Sequence, residues 1–217
     1  MKRSLKLMKS YLQFLLSRMG IRKNWRREMG YEEYLELQKL KTNDLTRIER
    51  WKTLEWDFKL NGFVKMFKRH SDIIKNCNNS LCLGARTGQE VAALRSLGLE
   101  SIGIDLVEFP PYTIIGDIHE LPFDNMSFDL AFSNIYDHIL YPERFAEQCS
   151  RVLRDKGHLI LHISLGFDPD KFSVSYVYNE REIIELFQKK GFFLVGSGVI
   201  SNDYDSMNFE LIFQRVY

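Results

Sequence analysis

The residues of this chain whose types and spacing suit chemistry lie beyond position 80. The apolar run Leu81-Cys82-Leu83 leads into Gly84-Ala85-Arg86-Thr87-Gly88, and a second apolar run ends at Asp105, 21 positions past Gly84. A buried strand, a glycine turn, a helix and a second strand tipped by a carboxylate form the first half of a nucleotide-binding βαβ unit. In such units about 20 residues separate the turn from the acid. A strand ending in glycine lets a ligand come close to the backbone, and the acid at the next tip can accept hydrogen bonds from both hydroxyls of a ribose. A second acid stands in Gly116-Asp117-Ile118, after a third short apolar run. His138 follows Tyr136-Asp137. Its ordinary pKa suits removal of a proton near neutrality, and Asp137 or Tyr136 could orient it.

Those residues need a sheet to carry them. From residue 80 short apolar runs alternate with helical stretches, which predicts a parallel sheet covered by helices on both faces. The strands are expected at 80–83, 101–104, 113–115, 128–133, 157–163, 192–200 and 208–214, with helices at about 88–97, 142–153 and 180–190. Pro142 suits a first helical turn. The last two strands are joined by only Ser201-Asn202-Asp203-Tyr204-Asp205-Ser206, so the final strand is expected to run antiparallel.

The first 75 residues read as a basic helical extension, ahead of a ligand-binding domain over 76–217. Leu5, Met8, Leu12, Leu15 and Met19 make one stripe, and Gly20 is a stop. A second helix is expected over 32–40 on Tyr34, Leu37 and Leu40, with Gln38 interrupting its stripe. Thr42-Asn43-Asp44 gives a break and an N-cap. A third helix is expected over 45–59 on Trp51, Leu54 and Phe58, and a fourth over 63–75. The extension is expected to pack on the core as a lid.

The formal net charge of +1 hides an asymmetry. Residues 1–70 carry 18 Lys+Arg and 8 Asp+Glu, a net of +10; the remaining residues carry 12 and 21, a net of −9. A basic arm of this kind suits docking on its own acidic domain, an anionic membrane surface, an organelle-targeting role, or nucleic acid held by residues 1–30. Lys23-Asn24-Trp25-Arg26-Arg27 is the part suited to phosphate or a lipid interface. No run approaches the ~20 apolar residues of a membrane span. Cys77, Cys82 and Cys149 form no C-x-x-C pair and no His stands beside them at zinc-ligand spacing, so no metal site is expected. So few cysteines fit a reducing, cytoplasmic setting.

Three further blocks follow the glycine turn: Gly116-Asp117-Ile118-His119-Glu120-Leu121-Pro122-Phe123, then Ser127-Phe128-Asp129-Leu130-Ala131-Phe132-Ser133-Asn134, then Arg151-Val152-Leu153-Arg154-Asp155-Lys156-Gly157-His158-Leu159-Ile160-Leu161. In this order they resemble the class I S-adenosylmethionine (SAM)-dependent methyltransferases of the small-molecule kind. The resemblance covers about residues 79–162 and leaves the first 75 aside. It implies a Rossmann-like sheet with SAM at the carboxyl ends of its strands. Gly84, Ala85, Arg86 and Gly88 would pack on the amino-acid end. Asp105, with Leu106, would hold the ribose. Asp117 and Ile118 would meet the adenine, and Asn134 would face the methionine end. A nicotinamide dehydrogenase would carry a third glycine in the turn.

The chain departs from the family at Arg86, where the turn usually has its middle glycine, and at Cys82, where many relatives carry an acid. Arg86 is expected either to point outward or to reach the cofactor carboxylate. Cys82 is expected in the core. His119 is expected at the rim of the site, His162 in the core, and Tyr112, Tyr176 and Tyr178 as pocket walls. Methyl transfer is an in-line displacement needing a base only when the acceptor must lose a proton. His138 is the candidate for that role. The acceptor is expected to be a small or lipid-like molecule. An RNA or protein acceptor held by the basic arm, or a non-catalytic module of the same fold, are the other readings.

Overall fold

The computed structural model describes residues 25–166, 170–201 and 207–216. The stripe over 5–19, its stop at Gly20, Lys23 and Asn24, and most of the 201–206 loop lie outside the described residues.

Seven strands form one sheet: β2 (Asn79–Leu83), β3 (Glu100–Asp105), β4 (Thr113–Ile115), β5 (Phe128–Ser133), β6 (Leu153–Ile163), β8 (Phe192–Val199) and β9 (Phe209–Arg215). Their order is β4-β3-β2-β5-β6-β9-β8. β9 is antiparallel to both neighbours and lies between β6 and β8; the other pairings are parallel. The reversed last strand expected from the short connection is present. β1 (Trp25–Arg26) and β7 (Ser175–Tyr176) make a separate antiparallel pair.

Alternation along the strands sorts the core into two layers. Leu130 and Phe132 of β5 and Ile160 of β6 face α3 (Trp56–Arg69), the short α4 (Ser71–Ile74) and α5 (Gln89–Ser96). Ala131, Leu159, Leu161 and Ile163 face α6 (Pro142–Val152) and α7 (Arg181–Lys189), where Phe145, Phe187 and Phe213 are buried. Pro142 occupies the first turn of α6 as expected. Cys82 is fully buried. Asp129 accepts hydrogen bonds from the Asn78 and Asn79 N–H groups and pairs with Arg154, so it fastens the entry of β2 to β5 rather than serving a site.

The N-terminal helices differ from expectation. α1 (Tyr31–Thr42) and α2 (Leu45–Lys52) match in place, and Asp44 caps α2 by accepting from the Thr46 and Arg47 N–H groups. α2 then stops at Lys52, and α3 begins at Trp56. Of the stripe Trp51, Leu54 and Phe58 only Trp51 is buried; Leu54 is 82% and Phe58 60% exposed. The helix expected over 63–75 is the second half of α3 followed by α4. The inward face of α3 is Phe63, Met66 and Phe67, with the Phe67 ring edge-on to Phe132 at 5.2 Å.

Phe67→Ala removes a fully buried ring and should cost about 3–5 kcal/mol in urea unfolding. A loss below about 1 kcal/mol would mean that α3 does not pack on the sheet as described.

Candidate functional site

Strand order reverses between β2 and β5, and the crevice beyond their carboxyl ends is where an open α/β sheet places its ligand. Each candidate residue sits at the end of one of these strands or in the turn after it. Gly84 and Gly88 have φ of +76° and +84°, a backbone conformation that side chains resist. A Cβ at Gly84 would also collide with Ile135, and one at Gly88 with Tyr112. These two glycines are therefore needed for the turn and its packing. Arg86 lies between them at φ +48°. This left-handed backbone explains why a glycine suits the position, and an arginine there costs about 1–2 kcal/mol. The Arg86 N–H donates to Asp105 Oδ2 at 2.9 Å, as any residue's would, and the contact that offsets the cost is the guanidinium, stacked 4.3 Å from the Trp51 ring. The outward-facing reading of Arg86 fails, because the residue lines both cavities of the site.

Asp105 ends β3. Burial pushes its carboxyl up, opposed by the Arg86 guanidinium and by backbone N–H groups of Arg86, Leu106 and Val107. A buried carboxylate held this way has the chemistry to accept two further hydroxyl donors, so the donor set fits a ribose. Asp117 and Ile118, after β4, line the same groove as Asp105 and Leu106. Burial raises the Asp117 carboxyl, but hydrogen bonds from His119 and Tyr31 outweigh that and hold it low. The Tyr31 hydroxyl donates to Asp117 Oδ2, and the His119 N–H donates to Oδ1 at 2.8 Å. His119 is buried at 3% exposure, not on the rim. Tyr31 and Tyr141 stack at 5.4 Å above it.

The side chains that cover this groove come from α1. Tyr34, Gln38 and Lys41 line it, spaced four and three residues apart on one helical face. This is not the expected stripe of Tyr34, Leu37 and Leu40, since Leu40 is 66% exposed. Gln38 donates to the Phe172 carbonyl at 2.9 Å.

A larger cavity of about 580 Å³ opens next to the groove. Gly84, Ala85, Arg86 and Asn134 line it, and so do Asp137 and His138 of the 3-10 turn Tyr136–His138. His138 Nδ1 lies 3.1 Å from the Phe172 carbonyl and so carries the proton. Its Nε2 then accepts from Lys41 Nζ at 2.6 Å. Burial pushes the His138 imidazole down, against the pull of Asp137, and Lys41 adds to the depression. Burial, helped by the Arg86 charge, also lowers the Lys41 amine to about 8. Lys41 is the site residue that sequence reasoning missed. Its signal was a lone cation in register with Tyr34 and Gln38.

Tyr112, Tyr176 and Tyr178 line neither cavity. Tyr112 backs Gly88, and Tyr176 stacks on Tyr178. His162 is a core residue bonded to Glu210 at 2.7 Å. Arg26 is tied down by donating to the Ile139 carbonyl at 2.5 Å. Among the described residues no group of three or more His, Cys, Asp or Glu side chains is placed to hold a metal ion. Among them, too, no helix is long and apolar enough to cross a membrane.

Comparison with known proteins agrees with this fold. Residues 81–161 match the family described as a methyltransferase domain. The structure is similar to a Burkholderia thailandensis 1,6-didemethyltoxoflavin-N1-methyltransferase solved with 1,6-didemethyltoxoflavin and S-adenosylhomocysteine. The two are 17% identical over 88% of this chain and 92% of that one, with a TM-score of 0.66. A SAM-dependent methyltransferase from Clostridium acetobutylicum is 13% identical over 77% and 96%, with a TM-score of 0.58. The cyclase SpnF is 13% identical over 70% and 80%, with a TM-score of 0.55. No curated protein sequence matches the chain.

The Lys41 amine should titrate near pH 8 in the folded protein rather than near 10.5, followed by NMR of dimethylated lysines. Because the folded state binds this proton less tightly than the unfolded chain, stability should rise with pH between about 8 and 10.5. A resonance titrating near 10.5 would contradict the buried placement.

Proposed function

We propose that the protein is a class I SAM-dependent methyltransferase that moves a methyl group from SAM to a small-molecule acceptor held beneath α1 and α2. One observation carries the reading. The turn 84–88, Asp105 and Asp117 converge on a groove at the carboxyl ends of β2, β3 and β4, and that groove adjoins a cavity large enough for an acceptor. The Burkholderia thailandensis relative, which was solved with a small heterocycle bound, supports an acceptor of that size.

SAM supplies an activated methyl on a sulfonium, so the protein's own work is to bind, align and exclude water. Asp105 accepts from the ribose hydroxyls beside Leu106. Asp117 accepts from the adenine amino group against Ile118, and Tyr31 shares or yields Oδ2 as that group arrives. Gly84, Ala85 and Gly88 shape the seat of the amino-acid end, with Arg86 facing its carboxylate and Asn134 closing that side. α1 lies across the groove and keeps bulk water from it. Where the acceptor must lose a proton, the neutral His138 in the cavity wall is the base placed to take it, once Lys41 leaves Nε2.

Asp105→Ala should weaken calorimetric binding of SAM by ~1–3 kcal/mol, roughly 5- to 150-fold. Unchanged affinity would remove Asp105 from the ribose site. His138→Ala should leave SAM affinity within about twofold while lowering turnover of a proton-bearing acceptor. Equal turnover would take His138 out of the mechanism.

A further inference from the structure

The wall of the large cavity carries charge that methyl transfer alone does not use. Lys41 is only 9% exposed, and its hydrogen-bond partner is the neutral imidazole of His138. The nearest carboxylate, Asp170, stands at 3.9 Å, beyond hydrogen-bond reach. Arg47 of α2 lines the same cavity. Its guanidinium lies 5.0 Å from the Phe172 ring; Lys41 Nζ stands 5.8 Å and Lys171 Nζ 4.7 Å from that ring. Three cations therefore crowd one side chain.

Of the acids nearby, Asp44 stands 3.6 Å from Arg47 Nε and Asp170 3.9 Å from Lys41 Nζ, both beyond hydrogen-bond reach. Glu55 is shared between Arg50 and Lys59. Asp137 accepts the Ser173 hydroxyl at 2.9 Å. Burial raises the Glu90 carboxyl to about 7, so it is half protonated near neutrality. A second, independent observation lies on β7. Ser175 is 1% exposed, lines this cavity, and its hydroxyl has no hydrogen-bond partner. A buried hydroxyl without a partner and a buried ammonium without a carboxylate at contact distance both destabilise a cavity wall. A ligand bearing anionic oxygens relieves both, and the Arg47 fork suits such a group. The rest of the wall includes Phe58, Phe63, Val177 and Met207, which suit an apolar body.

We infer that the acceptor is an organic anion whose carboxylate or phosphate oxygens are held by Lys41 and Arg47, with the Ser175 hydroxyl on the same cavity wall. This rests on the methyltransferase reading above and names its substrate class.

The test uses the full chain saturated with S-adenosylhomocysteine, titrated calorimetrically with benzoate, octanoate and phenyl phosphate. Benzamide, octanamide and phenol are their neutral counterparts. At least one anion should bind tenfold or more tightly than its counterpart, and the carboxylate and phosphate arms identify the head group. Lys41→Gln should abolish that preference and Lys41→Arg should keep it. Arg47→Gln, at a partly exposed position, and Ser175→Ala should each weaken the anion at least threefold, so the claim stays testable should Lys41→Gln not fold. Equal binding of anions and neutral counterparts, or a preference that survives Arg47→Gln and Ser175→Ala, overturns the inference. A loss in Lys41→Arg as complete as in Lys41→Gln makes Lys41 a proton carrier and overturns it too. Failure of S-adenosylhomocysteine itself to bind counts against the methyltransferase reading instead, and the same titrations without it still decide the anion site.

Discussion

The carboxylate of Asp105 organises the site. It sits at the end of β3, buried, and draws N–H groups from Arg86 in the neighbouring turn and from Leu106 and Val107 after its own strand. Those bonds lock the turn after β2 to the tip of β3. The Gly84 N–H reaches across to the Ile104 carbonyl at 2.8 Å and adds to the same lock. With the turn fixed, Arg86 is held in a left-handed conformation that it would not choose in isolation, and its guanidinium is delivered onto Trp51. A middle glycine would keep the N–H bond to Asp105 with less strain but would place no cation on Trp51. The substitution therefore trades backbone ease for a cation at the junction of the two cavities.

The other half of the site depends on α1. Its inward face is mixed: the Tyr31 hydroxyl on Asp117, Gln38 on the Phe172 carbonyl and Lys41 on His138, beside a cluster in which Tyr34, Leu35 and Leu37 pack with Leu140 and Val174. The apolar cluster seats the helix on the core, while its hydrogen bonds face the groove. The small β1–β7 pair and the Arg26 contact with Ile139 anchor the chain just before α1. The helix is thus tethered at its base while its covering face remains exchangeable.

The sheet was legible in the sequence because its strands are short, apolar and bounded by turn residues. Thr113–Ile115 and Phe128–Ser133 match their expected limits, and the other strands are shifted by one residue except β6, which begins at Leu153 rather than 157. There the register with β5 jumps from Phe128–Leu153 to Leu130–His158, and the intervening Arg154, Asp155 and Lys156 break the apolar run that marks the strand. The residues of the groove and its turn were legible in position for the same reason: each ends a strand or follows one closely. The N-terminal third was not. Trp51, Leu54 and Phe58 keep a helical period, yet Leu54 and Phe58 are exposed and the chain breaks at Thr53 without a glycine or proline to mark it. On α1 the face that matters carries a glutamine and a lysine, which a search for apolar periodicity passes over. Lys41 meets His138 97 positions away, and no local pattern encodes that distance.

Hydrogen exchange of the full chain with and without S-adenosylhomocysteine tests the central claim most directly. The account predicts slowed exchange over 84–90, 105–107 and 117–119, together with a change across 31–42 as α1 exchanges its contacts. Binding with protection elsewhere, and none in those segments, would contradict the placement of the cofactor beneath α1.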